Sequence, residues 1–176
     1  MKRRLLLAAL PAPFLLSACA GPEVREYAQE RPQLDLRQYF NGPLVGHGVF
    51  TDRSGRVKAR FVVRMVGRWQ GEQGVLEEDF EYSDGRKERR VWRLTHQGDG
   101  RYSGRADDVV GEAQGQAAGN ALRWGYTLKL PVDGKVYEVQ FDDWMWLVDE
   151  RVMLNKARMS KFGFDLGEVT LSFTRQ

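Results

Sequence analysis

The sequence predicts an all-β fold, a single antiparallel up-and-down β-barrel of about ten strands with little helix. Two observations predict it. Between Val57 and Trp69 the apolar residues Val57, Ala59, Phe61, Val63, Met65 and Trp69 hold odd positions, while Lys58, Arg60, Arg64 and Arg68 hold even ones. That period of two gives a strand with one core face and one wet face. Turn chemistry then recurs at short intervals, at Asp52-Arg53-Ser54-Gly55, Ser83-Asp84-Gly85, Gly98-Asp99-Gly100, Gly119-Asn120 and Asp133-Gly134. No segment in between is long and periodic enough for a helix.

The chain opens on Met1-Lys2-Arg3-Arg4, continues with an apolar run from Leu5 to Leu16, and reaches Leu16-Ser17-Ala18-Cys19. A basic segment, an apolar segment and small residues before a cysteine have the layout of a bacterial secretory signal. The ending resembles a lipobox. That resemblance implies a signal peptide over residues 1–18, a diacylglycerol on Cys19 and an acylated (palmitate-type) amine. Ala20 and Gly21 follow the cysteine where an inner-membrane lipoprotein has Asp, so it also implies the periplasmic side of the outer membrane. Acyl chains of this kind anchor a protein to a bilayer that it does not span.

Composition changes once this segment is set aside. The remainder has 176 − 18 = 158 residues, and Lys plus Arg falls from 27 to 24, equal to Asp plus Glu. The high isoelectric point therefore belongs largely to the leader and is no argument for nucleic acid. Cys19 is the only cysteine, which leaves no disulfide or thiolate metal site. Residues 19–33 are polar and aperiodic and read as a lipidated tether; residues 34–176 are enough for one domain with a full core.

Within that domain Asp35 to Phe40 predicts one helical turn, ended by Asn41-Gly42-Pro43. Strands are predicted at Leu44–Phe50, Val57–Trp69, Leu76–Tyr82, Arg89–His96, Arg101–Asp107, Val109–Ala117, Ala121–Leu130, Lys135–Leu147, Val152–Met159 and Phe164–Thr174. A hairpin through Gln70 to Val75 would set Arg68 against Glu77 and Arg64 against Glu81, a basic strand on an acidic one. Gly46-His47-Gly48 marks a close backbone approach.

The elements GPLVGHGVF (42–50), LEEDFEYSDG (76–85), DDVVGEAQG (107–115), Gly119–Leu122 and Phe141–Phe164 resemble an uncharacterised family of proteobacterial lipoproteins, a domain of unknown function. The resemblance covers nearly all of the chain after the signal. It implies a lipocalin-like barrel and supplies no catalytic residues.

Catalytic motifs are missing as well. His47 and His96 are the only imidazoles and have no metal-ligand spacing, and there is no G-x-S-x-G, Walker or G-x-G-x-x-G sequence. No cofactor and no enzymatic activity are expected. The binding candidates lie mainly in FDDWMWLVDERVMLNKARMSKFGF, residues 141–164. A tight turn at Val148–Arg151 would pair Leu147 with Val152, Met145 with Leu154 and Asp143 with Lys156, and on the other face Trp146 with Met153 and Trp144 with Asn155. Asp143 and Lys156 are then either a cross-strand ion pair or part of a ligand site. Two more charges break the pattern. Glu78 falls on the apolar face of its strand, and a hairpin at Asp84-Gly85 brings Arg90 opposite Phe80, diagonal to Glu78. A buried charge needs a partner, so these two either form a structural pair or face a cavity.

Two functions follow from these residues. The barrel binds a lipid or other amphipathic molecule, with Tyr137, Trp144, Met145 and Trp146 as walls and Glu78, Arg90, Asp143, Asn155, Lys156 and Arg158 around the polar end. Alternatively the barrel is filled and serves as an envelope scaffold or docking module. Interior volume separates the two.

Overall fold

The computed structural model describes residues 21–132 and 134–176; the predicted signal and Cys19 lie outside them. Ten antiparallel strands form a closed barrel: β1 (Gly42–Asp52), β2 (Val57–Gln70), β3 (Gln73–Tyr82), β4 (Lys87–His96), β5 (Arg101–Arg105), β6 (Ala113–Ala118), β7 (Ala121–Val132), β8 (Lys135–Leu147), β9 (Val152–Lys161) and β10 (Phe164–Arg175). Each strand pairs with its neighbour in sequence, and β10 returns to β1, with Val45 opposite Thr174.

One predicted strand is shorter than expected. Residues 106–112 precede β6 as a loop laid along β7, where Val110 N–H donates to the Thr127 carbonyl and Lys129 N–H to the Asp108 carbonyl. Asp107-Asp108 and Gly111 break the alternation that a ladder needs.

Even spacing of the hairpins gives the barrel two unlike ends. The β1–β2, β3–β4, β7–β8 and β9–β10 turns ring one end, the mouth. The opposite end is plugged by α1 (Leu36–Tyr39), where the sequence predicts a helical turn. Asp35 caps it by accepting from the Arg37 amide at 2.9 Å, and Leu36, Tyr39 and Phe40 are buried. Tyr102 Oη donates to Asp35 at 3.1 Å, Trp69 Nε1 to the Phe40 carbonyl at 3.0 Å, and Tyr39 Oη to the Phe173 carbonyl at 3.2 Å. Gly67 is indispensable to this plug. A Cβ there would stand 1.9 Å from the Phe40 oxygen, closer than any side chain tolerates. The glycines flanking His47 also permit close packing, since a Cβ on Gly46 would meet Val63 at 2.6 Å.

Part of the predicted tether is structured. Val24–Tyr27 forms a 3-10 turn that straps the outer wall, with Val24 buried against Ala121 and Trp144 and packed by Tyr27, Ala118 and Trp146. Polar composition hid this element because only Val24 and Tyr27 carry its apolar contact.

Two registers differ from expectation in instructive ways. Between β2 and β3 the partners are Val66–Glu77 and Arg68–Val75, two residues from the predicted pairing. A shift of two keeps every face, and the expected ion pairs form on the diagonal, Arg68–Glu77 at 2.9 Å and Arg64–Glu81 at 3.3 Å. Between β8 and β9 the shift is one residue. Asp143 faces Ala157, Met145 faces Asn155 and Leu147 faces Met153. The cause is the turn, where the Asp149 side chain accepts from both the Arg151 and Val152 amides at 2.8 Å, which lengthens the loop by a residue and exchanges the two faces.

Candidate functional site

The barrel encloses a cavity of about 870 Å³, inside the ~300–1,000 Å³ typical of small-molecule sites. Its floor is Leu36 and Phe40 of the plug with Phe173, Leu94 and Leu122; its upper wall includes Phe50, Phe61, Phe80, Tyr82 and Leu130. At mid-height aromatic rings surround a polar belt. Trp92 meets Trp124 and Tyr126 edge-on at 5.9 and 5.5 Å, and Tyr126 stacks on Phe141 at 4.9 Å.

The belt is built from five elements. Glu78 on β3 lies directly opposite Arg90 on β4, closer than the diagonal relation expected, because the β3–β4 register is two residues from the predicted one. Arg90 Nη1 is 3.8 Å from Glu78 Oε2, and its Nη2 and Nε are each 2.8 Å from Asp108 in the loop before β6. Asp143 on β8 accepts from Asn155 on β9, whose Nδ2 also donates to the Trp144 carbonyl at 3.0 Å. Glu78 and Asp143 are 8% and 6% exposed. Glu78 Oε2 and Asp108 Oδ1 have no hydrogen-bond partner among the described residues.

Burial sets the protonation of this belt. Loss of hydration pushes the Glu78 carboxyl up to about 7, against the pull of Arg90 and with a further push from Asp108. Asp143 is likewise raised to about 7 by burial, with the Asn155 bond opposing and Glu78 adding to the rise. Burial opposes the Arg90 charge too, but Glu78, Tyr126 and Asp108 more than offset it and hold the guanidinium protonated. The belt thus contains one fixed cation, Arg90, that is already paired, together with two carboxyls poised between acid and carboxylate near neutral pH.

Of the predicted residues, Glu78, Arg90, Asp143, Met145 and Asn155 line the cavity. The others lie elsewhere, Lys156 and Arg158 because of the one-residue shift. Trp144 and Trp146 stack on each other at 5.7 Å on the outer wall beneath the strap. Lys156 does not pair with Asp143; it reaches Glu168 at 3.0 Å, and Arg158 pairs outside with Asp165 at 2.6 Å. Tyr137 stands near the mouth under the Lys161 ammonium, 4.3 Å from its ring, and does not line the cavity. Asp108, Trp92, Trp124, Tyr126 and Phe141 complete the lining. A period-two reading of β7 would have found Trp124 and Tyr126, whereas Asp108 sits in a loop with no period to read. Among the described residues no group of His, Cys, Asp and Glu is arranged to hold a metal ion.

A closed ten-stranded barrel around one amphipathic cavity defines a small-molecule-sized container. The chain belongs to the family described as "Protein of unknown function (DUF3833)", whose profile matches residues 13–175. A search of curated proteins returned no match. Among solved structures, a protein of unknown function from the DUF3598 family of Nostoc punctiforme PCC 73102 is similar over 84% of this chain, with 15% identity and a TM-score of 0.52. This chain spans about half of that one, 51%. A de novo designed fluorescence-activating β-barrel matches 81% of this chain and 99% of its own, with 14% identity and a TM-score of 0.41. The protein EF1p2_mFAP2b bound to DFHBI matches 86% and 99%, with 12% identity and a TM-score of 0.43.

Proposed function

We propose that this protein is a non-catalytic, lipid-anchored carrier that holds a lipid or other amphipathic small molecule inside its barrel, at the periplasmic face of the outer membrane. The supporting observation is the cavity itself. A filled scaffold would have no use for about 870 Å³ of interior space, and empty volume of that size removes the packing contacts that stabilise a core. The apolar floor and upper wall suit an acyl or similar hydrocarbon body. The belt of Glu78, Arg90, Asp108, Asp143 and Asn155 suits a polar group that donates hydrogen bonds, since Glu78 Oε2 and Asp108 Oδ1 are unpartnered acceptors and Arg90, the belt's cation, is already engaged. The lipobox-like sequence at Cys19 supplies the membrane location.

Extraction from native membranes followed by native mass spectrometry tests this. Wild-type protein should carry a non-covalent amphiphile distinct from its own acyl chains. Ala157→Phe, which adds a ring on the cavity wall opposite Asp143, should keep the fold and lose that occupant. An empty wild-type barrel that neither takes up nor is stabilised by added lipid would refute the carrier reading.

A further inference from the structure

The exposed apolar side chains are unevenly placed. Phe162 and Phe164 at the β9–β10 turn are 85% and 75% exposed, and Leu166 follows them. Val132 and Val136 flank the β7–β8 turn, Val57 ends the β1–β2 turn, and Tyr137 stands close by. All seven lie at the mouth, among turns that are otherwise polar. Large aromatic residues exposed at a hairpin tip are costly in water and mark a contact surface.

Charge accompanies them. Arg53, Arg56 and Lys58 at the β1–β2 turn and Lys161 at the β9–β10 turn, with Lys87 at the neighbouring β3–β4 turn, enter no ion pair among the described residues. Three acidic side chains beside them are engaged. Asp52 accepts from the Ser54 and Arg56 amides, Asp84 from the Arg86 amide and guanidinium, and Asp165 pairs with Arg158. Lys161 stands between two rings, 4.3 Å from Tyr137 and 5.3 Å from Phe162. Apolar tips with cations at their shoulders match the depth profile of a bilayer surface, where rings enter the interface and ammonium and guanidinium groups meet phosphates.

We propose that the mouth is a docking rim for an anionic lipid bilayer, with the β1–β2, β7–β8 and β9–β10 tips in the interface and the basic side chains on lipid phosphates, so that the cavity opens directly onto the membrane. The role in loading rests on the carrier reading, but docking itself does not require an occupied cavity.

The test uses the chain from residue 19 onward carrying Cys19→Ser, so that neither the apolar leader nor an acyl anchor contributes, with phosphatidylcholine vesicles and with vesicles also containing phosphatidylglycerol. Binding should favour the anionic vesicles and slow hydrogen exchange at residues 52–58 and 161–166. Phe162→Ser with Phe164→Ser should weaken partition at least about tenfold, and Lys161→Gln about fivefold. Val148→Ser, an exposed apolar change at the plugged end, should have no effect. Equal loss with Val148→Ser, or unprotected tips on bound vesicles, would overturn the proposal. Protection seen only on membranes that retain their proteins would also overturn it, in favour of a protein partner. Mass spectrometry of the same samples reports the cavity's occupant separately, so an occupied barrel with unprotected tips removes the rim and leaves the carrier.

Discussion

Replacing Glu78 and Asp143 together, as Glu78→Gln with Asp143→Asn, should change how stability depends on pH. Both carboxyls are raised by burial to about 7, from ordinary values of 4.5 and 3.8. Between pH 4 and 7 the unfolded chain ionises them while the folded chain keeps them protonated. Each therefore contributes stability that is fully present below its unfolded pKa and is lost as pH rises through the folded one. At about 1.4 kcal/mol per pKa unit the full spans correspond to roughly 3 kcal/mol for Glu78 and roughly 4 for Asp143. Solvent entering through the mouth restores part of the lost hydration, so we expect about 3 kcal/mol for the pair between pH 5 and 8. Urea unfolding at intervals across that range measures it, and the histidines cancel because both proteins carry them. Wild type should lose stability as pH rises, and the double variant should remain flat by comparison. A wild-type minus variant difference that does not change with pH, or that grows with pH, would refute buried protonated carboxyls and with them the geometry of the belt.

Arg90 should be coupled more strongly to Asp108, at 2.8 Å, than to Glu78, at 3.8 Å; double-mutant cycles with Arg90→Met should give interaction energies of about 1–3 kcal/mol with Asp108→Asn and smaller ones with Glu78→Gln. Trp144→Ala should cost about 2–3 kcal/mol, below the ~3–5 of a closed core because water reaches the outer wall. Amides 24–28 should then exchange rapidly while cavity occupancy persists, and loss of occupancy would show that the wall and the cavity are not separate. Cys19→Ser should move the protein from the membrane pellet toward the soluble fraction in cells. An unchanged distribution would refute the acyl anchor.

Most of the barrel was legible because a strand writes itself twice, in alternation along its length and in turn residues at its ends. Val57–Trp69, Arg89–His96, Lys135–Leu147 and Phe164–Thr174 were readable within a few residues of the observed bounds. Register was less legible, since it depends on loop geometry that propensity does not encode. At β2–β3 an even error was harmless. At β8–β9 an odd error put Lys156 and Arg158 on the Asp143 face, and the amphipathic reading of Trp144 and Trp146, spaced by two residues, holds equally well on either side of a sheet. Glu78 and Arg90 were found because charge on an apolar face violates the pattern. Asp108 violates no pattern, and only the fold brings it to Arg90.

Closure of the ring has a consequence for how the protein is made. The first strand finds its second partner only when the last one exists, as Val45 pairs with Thr174 across 174 − 45 = 129 residues. Contacts so distant along the chain make for slow folding, because the entropy of bringing the ends together is spent before the ladder forms. A chain emerging N-terminus first thus presents a growing, curling sheet with two bare margins until β10 arrives. Removing that strand would leave β1 and β9 each with an unpaired ladder, so C-terminal truncation, more than any internal hairpin deletion near the mouth, is the lesion that turns this barrel into a template for self-association.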